Sequence, residues 1–130
     1  MSQSTERREF FRTRADVEVQ YRFLADYLQD PDLGKMFRGT TNNLSGGGLL
    51  LHGILPKLEW VPDLLMQKMA VGVSLQLPTE NAPVLGLARV AWIETIDDRT
   101  RHCRLGLRYR EITTADRDRL FQFVIHQQVP

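Results

Sequence analysis

Two short groups of residues, about thirty positions apart, hold most of the chemistry in this chain. Arg8-Glu9-Phe10-Phe11-Arg12 is an R-x-x-x-R doublet, preceded by Arg7 and followed by Arg14. Asn43-Leu44-Ser45-Gly46-Gly47-Gly48 is an N-x-S-x-x-G turn that opens a run of leucines. A guanidinium is a permanently charged planar fork that binds two acceptors at once and stacks on rings, which an ammonium does not. The Asn43 amide offers a donor and an acceptor, and Ser45 offers a hydroxyl. Glycines at 46 to 48 admit positive φ and let a ligand come close to the backbone. Together these groups suit an anionic ligand with planar, hydrogen-bonding rings. A helical arm would place Arg8 and Arg12 on one face, while an extended arm would splay them around a ligand. Taken singly, the first group reads as a solvated tail and the second as a tight turn between strands.

No other residues assemble into a reactive constellation. His52, His102 and His126 lack metal-ligand spacing, so no metal site is expected. Ser45 sits in no G-x-S-x-G elbow and has no evident His or acid partner, so an enzyme is not expected. Cys103 is the single cysteine, cannot form an internal bridge and reads as a small buried residue. Asn43-Leu44-Ser45 matches a glycosylation sequon, which a cytosolic chain would not present to the modifying enzyme.

The elements that must position these groups are mostly strands. Residues 1–14 show no hydrophobic period and read as a flexible N-terminal arm, with residues 15–130 as one domain. Ala15, Val17, Val19, Tyr21 and Phe23 alternate with polar residues, the period of a half-buried strand. Further strands are predicted from Met36 to Asn42, Gly48 to His52, Val73 to Leu77, Val84 to Ile93 and Arg101 to Tyr109. Asp97-Asp98-Arg99 forms a hairpin tip between the last two. Segment 24–35 is ambiguous, stopped by Asp30-Pro31-Asp32 and Gly34. In segment 53–71, Pro62-Asp63 starts a short helix, and Trp60 with Leu64, Met66 and Met69 covers one end of the fold. Trp92 is expected in the core. Thr113-Thr114-Ala115-Asp116 resembles a capping box, and Leu120, Phe121, Val124 and Ile125 make the apolar stripe of a C-terminal helix. Six strands without a βαβ rhythm predict an all-β fold, a six-stranded antiparallel barrel with a terminal helix.

At 130 residues, the chain can bury a core without disulfides or metal. A net charge of +1 argues against coating DNA or RNA through a general positive field. The N-terminus lacks an apolar signal-peptide segment, and no apolar run reaches the ~20 residues of a membrane span. The expectation is a cytoplasmic protein with no membrane insertion.

In their order, and with the predicted barrel around them, the two groups resemble the PilZ domain family of bacterial cyclic di-GMP receptors. The strand Val17-Glu18-Val19-Gln20-Tyr21 after the arginines is similar to the family's first barrel strand. Gly48 to Leu51, Ala88 to Trp92 and Leu105 to Tyr109 are similar to its later strands, and Asp116 to Phe123 to its C-terminal helix. Asn43 stands where the family has Asp or Asn. The longer stretches 24–38 and 53–71 depart from members of minimal length. The resemblance implies that cyclic di-GMP is the ligand, with no other cofactor. Arg8 and Arg12 would contact its phosphates and guanines, Asn43 and Ser45 would hydrogen-bond guanine or phosphate, and Gly48 would keep the turn open. Arg7 would help to hold a stacked ligand pair. The implied protein is a second-messenger effector that changes conformation on binding and acts through a protein partner. The alternative is an interaction module of the same fold that binds no nucleotide.

Overall fold

The computed structural model describes residues 11–78 and 80–128. Six strands close into one antiparallel barrel in the order β1-β2-β3-β6-β5-β4. They are β1 (Phe11–Leu24), β2 (Phe37–Leu44), β3 (Gly48–Ile54), β4 (Ala70–Gln76), β5 (Val84–Ile96) and β6 (His102–Ile112). Closure gives every strand a hydrogen-bonded neighbour on both sides.

Alternation places the core. Val17, Val19, Tyr21 and Phe23 of β1 are buried, as are Val71, Val73 and Leu75 of β4 and Cys103, Leu105 and Leu107 of β6. Tyr21 reaches across the barrel, donating its hydroxyl to the Ile54 carbonyl at 2.8 Å and accepting from the Ile54 N–H at 2.7 Å. Burial pushes its phenol up to about 12.

β1 already includes Phe11, ahead of the expected start at Ala15. Phe11 pairs with Leu44 and Arg12 with Asn43, so residues 11–14 of the expected arm are strand. The strand is hard to read there because the register slips between Arg12 and Val17, which breaks the period-two pattern. Residues 1–10, including Arg7 and Arg8, lie outside the described residues.

The two barrel ends are closed differently. A 3-10 turn at Leu58–Trp60 and helix α1 (Val61–Leu65) cover the end where β1 finishes. Trp60, Leu64 and Met69 are buried, and the Trp60 and Phe23 rings lie 5.5 Å apart; Met66, expected with them, faces solvent. Lys57 donates to Asp30 at 2.7 Å, tying this cover to segment 24–36. Helix α2 (Thr114–Gln128) packs on β1 and β5 at the opposite end. Thr113 caps it, its hydroxyl accepting the Asp116 N–H at 3.1 Å. The Asp116 carboxylate does not complete a capping box. It accepts from the Leu85 N–H at 3.2 Å and from Arg119 at 2.9 Å.

The buried stripe of α2 is Leu120, Phe123 and Val124, whereas the expected Phe121 and Ile125 are about half exposed. Phe121 has a separate contact, since its ring lies over Gly46, where an added Cβ would stand 2.6 Å from Cζ. The helix that caps the barrel therefore rests on the glycine-rich turn.

Candidate functional site

Strand register brings the two motifs together. Arg12 on β1 and Asn43 on β2 are cross-strand partners, and both line a cleft of about 330 Å³ on the outer face of the barrel. The Asn43 backbone is held by Thr41, whose Oγ1 donates to its carbonyl at 2.9 Å and accepts its N–H at 3.2 Å.

The turn is closed by its own hydrogen bonds. The Ser45 N–H donates to the Gly48 carbonyl at 2.9 Å, and the buried Ser45 hydroxyl accepts the Gly47 N–H at 3.1 Å. The Gly47 carbonyl accepts from the Tyr109 N–H at 2.9 Å, fastening the turn to β6. Gly48 is buried, and a Cβ there would lie 1.9 Å from the Leu107 carbonyl oxygen. Its need for glycine thus comes from the close approach of β3 to β6.

Sequence reasoning missed the opposite wall of the cleft, formed by His52, Trp92, Glu94 and Arg104. Strict alternation along Ala88, Val90 and Trp92 sends all three side chains inward. In the structure Val90 pairs with Leu107 while Trp92 pairs with Gly106, so β5 spends one residue more than β6 over this step. That bulge turns Trp92 to the outer face, correcting the core expectation. Gly106 makes room for it, because a Cβ there would lie 2.2 Å from indole Cε2 and 2.3 Å from Cδ2. A second slip between Ile93 and Thr95 pairs Thr95 with Arg104. The one sequence signal was Gly106, a strand glycine opposite a tryptophan.

Across the outer face the sheet carries two rows. Leu50, Gly106 and Trp92 form an apolar row bearing a planar ring, and Thr40, His52, Arg104 and Thr95 form a polar row beside it. Arg104 donates to Glu94 at 3.4 Å, an exposed pair of the kind that adds little stability. Burial, then the Arg104 charge, holds the His52 imidazole below its ordinary pKa. Ring-stacking surface, two guanidiniums and an amide converge here, which is a binding chemistry.

Among the described residues, no group of His, Cys, Asp or Glu could hold a metal ion. Cys103 is buried, and burial pushes its thiol up to about 11. Ser45 is engaged in its turn. No helix among the described residues is long and apolar enough to cross a membrane.

Comparison with known proteins shows the family. The model of the PilZ domain matches residues 6–126. The chain belongs to the PilZ domain family. Its fold is similar to the Bacillus subtilis inhibitor of motility MotI/DgrA, with a TM-score of 0.64 and 23% identity over 94% of this chain and 51% of that one. The chain thus spans about half the length of that protein. It is also similar to the PilZ domain of Escherichia coli YcgR, solved with c-di-GMP, with a TM-score of 0.59 and 20% identity over 94% and 92% of the two chains. At these identities the likeness is one of fold. No curated protein sequence matches the chain. Within this PilZ domain, the cleft joins Arg12 of the first motif to Asn43 of the second.

Proposed function

We propose that this PilZ domain is a cytoplasmic cyclic di-GMP receptor that signals through a protein partner and catalyses no reaction. The observation that carries the reading is the pairing of Arg12 with Asn43 at one cleft walled by Trp92. Cyclic di-GMP has two phosphates and two guanines, and the cleft offers charged forks, an amide and an indole face to match. Arg8 and Arg7 close over the bound ligand from residues preceding β1, while Ser45 and Gly48 hold the turn that seats it. The presence of c-di-GMP in the YcgR PilZ domain supports the same ligand here.

Ordering a segment on binding costs about 2–5 kcal/mol, and micromolar affinity corresponds to about −8 kcal/mol, so the gross interaction exceeds both combined. Closure covers one surface and exposes another, and the Phe121 ring on Gly46 passes the change to α2. Calorimetric titration with cyclic di-GMP, using GTP and the linear dinucleotide as controls, tests the reading. Saturable heat with the cyclic ligand alone supports it. Folded protein that gives no heat is instead the interaction module that binds no nucleotide.

A further inference from the structure

The cleft that holds Arg12 and Asn43 does not end at the polar row. A larger cleft of about 630 Å³ continues toward the β5–β6 hairpin, and the two share His52 and Arg104. These residues are direct register partners on β3 and β6, so their side chains leave the same face of the sheet. His52 is therefore at the junction of the two clefts, two residues from Leu50 and about 6.8 Å further along the strand. A ribose can span that step from a base on the Trp92 row to a phosphate on the His52 row.

The state of His52 is unusual for a surface histidine. The residue is only half-buried, yet its Nε2 is closed off from water and has no hydrogen-bond partner among the described residues. A buried nitrogen without a partner is a standing cost that a suitable acceptor or donor removes. With Nε2 unanchored, rotation about the ring's Cβ–Cγ bond can present it to the cleft.

Building on the receptor reading, we infer that His52 is a phosphate contact for the dinucleotide, turning its imidazole toward the junction and donating to a phosphate oxygen beside Arg104. The bound form is the imidazolium, and its additional proton comes from solvent. The groups around it explain why it is uncharged beforehand. Arg104 on β6 opposes its charge, while Asp16 on β1 and Glu94 on β5 favour it less strongly than burial and Arg104 disfavour it. Arg12 on β1 lines the near cleft, and the far one holds both Arg38 on β2 and Asp97 of the β5–β6 hairpin. A phosphate reverses this balance, so binding takes up a proton and strengthens as pH falls.

The test is calorimetric titration of the full chain with cyclic di-GMP at pH 6, 7 and 8, in buffers of different ionisation enthalpy. The variants are His52→Gln and, as control, His102→Gln, with circular dichroism to verify folding. The wild type and His102→Gln are expected to show heats that vary with the buffer and affinity that weakens up to about tenfold per pH unit. His52→Gln is expected to lose both dependences. Binding by the wild type with buffer-independent heat overturns the inference and leaves the receptor reading intact. Persistence of the dependence in His52→Gln, or its loss in His102→Gln, also overturns it. A folded wild type that binds no cyclic di-GMP at any pH overturns the receptor reading and the inference with it.

Discussion

Gly106→Ala adds one methyl group beneath the indole that walls the cleft. The new Cβ would stand 2.2, 2.3 and 2.5 Å from Trp92 Cε2, Cδ2 and Cζ2. Carbon atoms prefer about 3.5–4.0 Å, so the ring must lift by roughly 1 Å or swing aside. A base stacked on an aromatic side chain is worth about 1–3 kcal/mol, so losing the stack raises the dissociation constant for cyclic di-GMP about 5- to 150-fold. The fold can absorb the change because Trp92 is only half-buried and can yield; overpacking typically costs about 1–3 kcal/mol. Titration calorimetry gives the affinity, and tryptophan fluorescence gives the ring's environment. The other tryptophan, Trp60, is buried at the far end of the barrel, so a ligand-induced change reports Trp92. Trp92→Ala should lose as much affinity, and adding Gly106→Ala to it should cost nothing more, because both act on one contact. If Gly106→Ala binds within twofold of wild type with the same fluorescence response, the indole does not stack on the ligand and the reasoning fails.

Arg12→Ala removes an exposed side chain and should leave the melting temperature unchanged, but it costs about 2–5 kcal/mol in the complex, more than ~30-fold in affinity. Calorimetry within threefold of wild type would sink its role, and the same loss is expected for Arg8→Ala. Thr113→Ala removes the acceptor of the Asp116 N–H and should destabilise the protein by about 1 kcal/mol, a drop of about 3–5 °C in thermal denaturation. An unchanged melting temperature would mean that the cap is dispensable. Above about pH 8 stability should fall as pH rises, because Cys103 and Tyr21 are raised to about 11 and about 12. The unfolded chain releases those protons from about 8.5 and 10, so it binds fewer protons in that window and is favoured there. Urea midpoints at pH 7.5 and 10.5 check this, and equal values would refute it.

Alternation made most strands legible. In β1, β4 and β6 a two-residue period meets one wet and one dry face, so the buried residues could be read directly from the chain. The slip between Arg12 and Val17 hid the strand character of residues 11–14, and the slips in β5 hid the outward turn of Trp92. In α2 the 3.6-residue stripe was right in kind but rotated, since Phe123 is buried where Phe121 was expected. The barrel end accepts one face of the helix, and the Gly46 turn accepts Phe121 separately.

The sequence by itself determined the barrel, the terminal helix and the two motifs, because period and turn chemistry are local properties. Their junction was not local. Only the tertiary structure set Arg12 opposite Asn43, turned Trp92 over Gly106 and put His52 beside Arg104. Each of those neighbours depends on register between strands distant in the chain, and a bulge shifts register by one residue and exchanges the faces of the sheet.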